Sequence, residues 1–272
     1  MSAEGQHGDW PAPPAIVAHV VATGQGVLSP TWPAPHRIGL FTTTRPYIVD
    51  GGENADAGAR AGAAERHLAN HLPAPPMWLR QVHGNNVVVL DAATLAEARA
   101  APPVADAVVT RLSGVICAVR TADCVPVAIT DDTGAAIGLA HAGWRGMAAG
   151  VLEATVRAVV AQGAAPHALM AWLGPAIGPA AFEVGDDVMH AFCAGDAGAA
   201  AFFSPHREGK WLADLYGLAR RRLARVGVTA VYGGGFCTYA DALRFPSYRR
   251  ERTGERMATL LWRAPERGGA PL

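Results

Sequence analysis

Cysteine is scarce in this chain: there are four in 272 residues, Cys117, Cys124, Cys193 and Cys237, and no two form a CxxC pair. That spacing in a chain this long does not build a disulfide framework, which points to a reducing compartment. An excess of either charge is also missing. Lys plus Arg and Asp plus Glu number 23 each, so there is no basic field to hold nucleic acid or an anionic membrane. A small or neutral substrate suits that balance better than a polyanion. Long apolar runs are lacking too. "AIVAHVVATG", near the N-terminus, is short, contains a histidine and follows no basic segment. It reads as neither a signal peptide nor a membrane span, and the expected location is cytoplasmic.

What the chain does have is apolar mass. Hydrophobic residues make up 50% of it, enough for one large core. "RIGLFTTTRP" (37–46), "ADAVVTR" (105–111), "GVICAVR" (114–120), "ALMAWLGP" (168–175), "VTAVYGGG" (228–235) and "RMATLLW" (256–262) read as strands. "MWLRQVHGNNVVVLD" (77–91) reads as two short strands about a turn whose Gly84, Asn85 and Asn86 tolerate positive φ. "VPVAITDDTGAAIGLAH" (125–141) reads as a hairpin. Helical spacing marks 147–163, 184–195 and 210–227, and a further helix is expected to start near Gly62. There is no internal repeat and no linker. The strands cluster and the helices are irregularly interspersed, which predicts an α+β class: one compact domain of mixed sheets covered by helices.

Three candidate metal ligands stand at strand ends: His83, Cys124 in "TADCVPV" and His141 in "LAHAGWRG". Two imidazoles and a thiolate form a catalytic zinc set that leaves a fourth tetrahedral position open. Zinc there would lower the pKa of a bound water from about 16 to about 7. Their spacing does not separate this reading from a plainer one, in which His83 is a turn residue, Cys124 a small buried hydrophobe and His141 a helix cap. "LGPAIGP" (173–179) reads as a rigid turn or as a pocket wall. "YGGGFCTY" (232–239) reads as a flexible turn or as a place of close backbone approach to a ligand, with Cys237 and Tyr239 beside it. Arg45, Arg145 and Arg249 are candidates for phosphate or carboxylate, whose oxygens a guanidinium binds in pairs. The "RRERTGER" run is otherwise a solvated surface.

Taken in order, "LRQVHGNNV", "ADAVVT", "TADCVPV", "LAHAGWRG", "WLGPAIGPAAFEVGDDV", "GGGFCTY" and "FPSYRRERTGERMATLLW" resemble the bacterial laccase-domain family over about residues 30 to 263. That family is described both as multicopper polyphenol oxidase and as purine nucleoside phosphorylase. The resemblance implies a layered fold with two mixed β-sheets flanked by helices. It implies an N-terminal extension over 1–26, expected to be mobile, a catalytic domain over 27–264 and a C-terminal tail over 265–272. It also implies zinc held by His83, Cys124 and His141, with Trp144 and Arg145 anchoring and polarising the last turn. The implied activity is phosphorolysis of adenosine, inosine, guanosine and methylthioadenosine, together with hydrolytic deamination of adenosine. Asp123, Arg45 and Arg145 are then the candidate catalytic residues. Gln81, Cys237, Tyr239, Arg45 and Arg249 are the candidate substrate contacts, with Arg45 first and Arg249 second for phosphate. Asp123 either orients a ligand or accepts a proton.

The chain departs from the family pattern after "TTTR". "PYIVDGGENADAGARAG" replaces the usual "GGVS" and "NLG" segments, which bears on substrate choice. Three other readings compete. The same zinc would serve a cytoplasmic amidase that edits peptidoglycan precursors of the UDP-MurNAc-amino acid class. Copper would serve phenol oxidation, but a multicopper oxidase needs more histidine clusters than this chain shows. A structural zinc in a binding module would need a fourth ligand, with Cys117 or Cys237 as the candidates. The partners expected are a nucleoside and phosphate, with neither nucleic acid nor membrane. The oligomeric state is not legible in the sequence.

Overall fold

The computed structural model of the protein describes residues 26–45, 47–50, 72 and 74–265. The expectations placed on residues 1–25, on a helix from Gly62 and on residues 266–272 lie outside the described residues. No described helix is long and apolar enough to cross a membrane.

Two six-stranded mixed sheets form the body. The first runs β1 (Val27–Leu28), β2 (Ile38–Thr43), β15 (Glu255–Arg263), β7 (Ile116–Thr121), β4 (Pro76–Met77), with β3 (Val49–Asp50) also paired to β15. The second runs β14 (Ala230–Gly233), β10 (Leu169–Leu173), β8 (Val125–Asp131), β9 (Ile137–Ala142), β6 (Ala107–Thr110), β5 (Val87–Leu90). A small third sheet has the order β11 (Glu183–Gly185), β13 (Lys210–Ala213), β12 (Phe203–Arg207). The helices are α1 (Leu95–Ala100), α2 (Trp144–Ala148), α3 (Val151–Ala161), α4 (Asp186–Cys193), α5 (Leu215–Arg225) and α6 (Tyr248–Glu251).

The second sheet is buried on both faces, which is why its strands read as continuous apolar runs rather than alternating ones. Side chains still alternate along each strand. Val108, Ala128, Leu139 and Trp172 point to the first sheet and meet Leu40, Cys117, Val119 and Leu261. Val109, Val127, Ile129 and Ala140 point the other way, into a core shared with Leu152, Val156 and Val159 of α3 and Leu218 and Leu223 of α5. Burying a side chain such as Leu139 contributes about 1.5–3 kcal/mol. The outer face of the first sheet carries Phe41, Ile116, Leu260 and Trp262. By the same alternation His141 lies on the face of β9 that carries Ile137 and Leu139, the side toward the first sheet.

Three local expectations change. The helix expected over 147–163 is two helices, α2 and α3, divided at Gly150, whose φ of 94° ends one axis and starts another. Glycine takes that left-handed conformation without a Cβ penalty. The helix expected over 210–227 begins only at Leu215. Asp214 caps it by accepting the Gly217 amide, and the preceding Lys210–Ala213 pairs with β11 and β12. The two strands about His83 do not pair with each other: β4 joins the first sheet beside β7 and β5 joins the second beside β6. The chain therefore crosses between the layers at His83.

Helix α3 crosses β9 at Gly138, where an added Cβ would lie 2.6 Å from Val159 Cγ2 and 2.9 Å from Thr155 Cγ2. Gly138→Ala should lower the unfolding free energy by about 1–3 kcal/mol through overpacking. Urea denaturation reads this directly, and an unchanged midpoint would show that the helix–sheet contact has slack.

Candidate metal centre

Two of the crossings between the sheets carry a candidate ligand. The link from β7 to β8 is Ala122-Asp123-Cys124, so Cys124 stands where the chain leaves one sheet for the other. Asp123 makes that step at φ 85° and is held on both carboxylate oxygens. Thr238 Oγ1 donates to Oδ1 at 2.6 Å, and the Arg249 amide donates to Oδ2 at 2.7 Å. Its carbonyl accepts the Ile177 amide at 3.0 Å, which lays the "LGPAIGP" segment behind Cys124. His141 lies on β9 opposite Pro126 of β8, the strand that follows Cys124. His83 sits in the other crossing at φ 59°, so the positive φ falls on the histidine itself and not on the Gly and Asn after it.

The glycines of "HAGWRG" admit a close approach. A Cβ at Gly143 would lie 2.9 Å from Cys124 Sγ and 2.9 Å from His83 Cδ2. A Cβ at Gly146 would lie 2.5 Å from the Gly84 carbonyl oxygen. The start of α2 thus presses against the other two ligand segments, and only glycine leaves room.

His83, Cys124 and His141 place their donor atoms within 4.8 Å of one another. Cys124 Sγ and His83 Nε2 are 3.9 Å apart, and the two imidazoles meet edge-to-face with centroids 4.7 Å apart. His83 is exposed, Cys124 half-buried and His141 buried, so one side of the trio opens outward. His141 Nδ1 contacts Asp106 Oδ1 at 2.8 Å, leaving Nε2 as the ring's remaining donor. Burial pushes the Cys124 thiol up, but the neighbouring His141 and His83 outweigh it and bring the pKa down to about 6. Burial pushes the His141 imidazole down, but Cys124 and Asp106 reverse that and raise it. Burial also works against the Asp106 charge, yet the His141 hydrogen bond and the Gly84 amide hold its carboxyl below the usual range. A thiolate and two imidazoles converging on one point suit a divalent ion of the zinc class. Among the described residues this is the one such group, and neither Cys117 nor Cys237 joins it.

The other candidate residues are placed as follows. Asp123 and Arg249 touch each other. Arg249 also donates to the Glu183 carbonyl at 2.8 Å and lies 5.3 Å from the Phe182 ring centroid. Cys237 Sγ accepts from the Gly178 amide at 3.2 Å and the Ala240 amide at 3.4 Å, and Tyr239 is exposed. Gln81 braces the first sheet, donating to the Arg120 carbonyl and accepting its amide, each at 2.8 Å. Arg145 is exposed and stacks on Trp144 at 4.5 Å. Arg45 is committed to carboxylates, at 2.7 Å from Glu251 and 3.0 Å from Glu255, and its Nε has no partner among the described residues. Asp106 was not among the expected site residues. Its one signal in the sequence was a carboxylate at the mouth of the apolar run "ADAVVT".

A mixed α/β fold of two large sheets with a three-donor centre at their junction defines the class of protein. The family described as multi-copper polyphenol oxidoreductase laccase matches residues 50–264, and the chain belongs to that family. It is 45% identical over 263 residues to purine nucleoside phosphorylase of Xylella fastidiosa, covering 93% of this chain and 95% of that one. It is 43% identical over 252 residues to purine nucleoside phosphorylase YfiH of Escherichia coli, covering 87% and 98%. The solved structure of a Neisseria meningitidis protein matches with a TM-score of 0.78 at 42% identity, covering 89% of this chain and all 100% of that one.

In protein stripped of metal by a chelator, iodoacetamide should label Cys124 with a midpoint near pH 6, because the thiolate forms above its lowered pKa of about 6. Cys117, buried and pushed up to about 12, should stay unlabelled in the native state. Labelling of Cys124 that begins only above about pH 8, as for an ordinary thiol, would contradict the imidazole–thiolate pairing.

Proposed function

We propose that this protein is a zinc-dependent purine nucleoside enzyme. It would cleave adenosine, inosine, guanosine and methylthioadenosine with phosphate, and deaminate adenosine with water. The observation that carries the reading is the His83–Cys124–His141 trio, open on its His83 side, in a chain whose close relatives are named purine nucleoside phosphorylase. An ion bound there would supply Lewis acidity at an open fourth position.

The chain's own residues divide the remaining work. In phosphorolysis a phosphate oxygen bonds to ribose C1′, the bond from C1′ to the purine nitrogen breaks, and the departing base takes up a proton. Arg249 is the better-placed anion contact, since it is exposed and its backbone is tied by Asp123 to the Cys124 crossing. Arg45 has two carboxylates as partners, so a phosphate would have to displace them. Arg145 is the other exposed guanidinium among the candidate residues, carried on the turn after His141. Asp123 orients Cys124, and its left-handed backbone aims that side chain. In this reading Cys237 and Tyr239 would wall the base, and Gln81, hydrogen-bonded to Arg120, would support the His83 segment from behind. In deamination water replaces the exocyclic amine and ammonia leaves. Zinc is favoured over copper because the described residues hold one three-donor group rather than the several that a multicopper oxidase needs.

Adenosine incubated with the protein should give adenine and ribose 1-phosphate only when phosphate is present, and inosine without it. A chelator should abolish both, with products read by mass spectrometry. Inertness toward nucleosides but release of an amino acid from a UDP-MurNAc-amino acid would replace this reading with the amidase. Cys124→Ser should lose bound metal and about 1,000-fold in rate, equivalent to about 4 kcal/mol, while staying folded. A metal-free variant with full activity would remove the trio from the chemistry.

A further inference from the structure

We infer that Asp106 is the positioning residue of the metal centre: one buried carboxylate sets both imidazoles, the ring of His141 and the backbone of His83. The inference rests on the metal-dependent reading above.

Asp106 has no exposure to solvent. A buried carboxylate is costly unless its oxygens are satisfied, and the donors that satisfy these belong to the two ligand segments. Oδ1 receives the His83 amide at 2.9 Å and meets His141 Nδ1 at 2.8 Å. Oδ2 receives the Gly84 amide at 2.7 Å and the Val82 amide at 3.2 Å. Three successive amides therefore curl around one carboxylate, an anion nest whose middle residue must take a left-handed turn. That residue is His83, at φ 59°. A non-glycine residue there costs about 1–2 kcal/mol, which the nest offsets.

The same oxygen fixes the second imidazole. An acceptor at Nδ1 holds a proton on that nitrogen and makes Nε2 the nitrogen left to bind an ion. The main chain repeats the arrangement. The Asp106 amide donates to the Asn86 carbonyl at 3.0 Å, and its own carbonyl accepts the His141 amide at 2.7 Å. Asparagine at this position would turn one acceptor into a donor facing amide N–H groups or the His141 N–H. It keeps the volume and loses the function.

The experiment compares full-length wild type with Asp106→Asn, each titrated with Zn²⁺ and with Co²⁺ against a chromophoric chelator. Circular dichroism and thermal melting score the folded fraction. The expected result is metal affinity about 10- to 100-fold weaker per folded molecule. The Co²⁺ thiolate charge-transfer band should weaken or shift, showing that the coordination sphere itself changed. A purely structural Asp106 would lower the melting temperature and leave affinity and band intact, which overturns the inference. The second measurement needs no variant. Long-range ¹H–¹⁵N spectra of the Zn²⁺-loaded wild type should show His141 protonated on Nδ1 and ligating through Nε2. Ligation through Nδ1 overturns the inference even if Asp106→Asn does not fold. A wild type that binds neither metal overturns the underlying reading, whereas a binding wild type with an equally tight Asp106→Asn overturns this inference alone.

Discussion

The Asp106 carboxylate, at the end of the second sheet, has no exposure to solvent, so its charge depends on donors supplied by the protein. The protein supplies them by folding the 82–84 segment around the carboxylate and by turning the His141 ring toward it. Those demands bring together two chain segments 58 residues apart, His83 and His141. The third segment follows from layer geometry. β8 pairs with β9 in the second sheet, while β7 belongs to the first, so the short link carrying Cys124 must pass the end of the interlayer gap. That is the side on which His141 points.

Close packing does the rest. The turn after His141 can press on Cys124 and on the His83 loop because Gly143 and Gly146 have no side chain, and nearly any other residue would push the three segments apart. The core supports this from behind with two apolar layers, one between the sheets and one beneath α3 and α5. The centre is thus built at the rim of a rigid scaffold, with its backbone conformations set by hydrogen bonds rather than by loop flexibility. A second carboxylate plays a parallel part: Asp123 joins the Cys124 link to Thr238 and Arg249, drawing the 237–249 segment to the same place.

Electrostatics suit an ion. The imidazoles lower the thiol while Cys124 and Asp106 raise His141, so the centre favours a thiolate beside a protonated ring, and an incoming ion would take the place of the ring's proton. Arg45, by contrast, is bound to two carboxylates and braces the end of the first sheet. The sequence "TTTR" cannot reveal that pairing, because Glu251 and Glu255 reach it from the other end of the chain.

The residue types of the centre and the strand-end positions of Cys124 and His141 were legible in the sequence, because apolar runs, turn residues and motifs are local; that the large sheets number two came from the family resemblance. Asp106 was not legible, since a single carboxylate before a strand looks like any polar strand end until its four donors are in place. The start of α5 and the division at Gly150 were misjudged for a related reason: helical spacing is a property of one segment, whereas strand pairing and the change of helix axis depend on neighbours far along the chain. The sequence by itself determined which atoms are available for a metal and most of the strand segments of the two large sheets, but not the small third sheet. Only the tertiary structure decided that β4 and β5 part to opposite sheets, that His83 takes a left-handed turn and that one buried carboxylate serves both histidines. Each of these depends on contacts between residues distant in sequence, and such contacts arise only once the two sheets have packed.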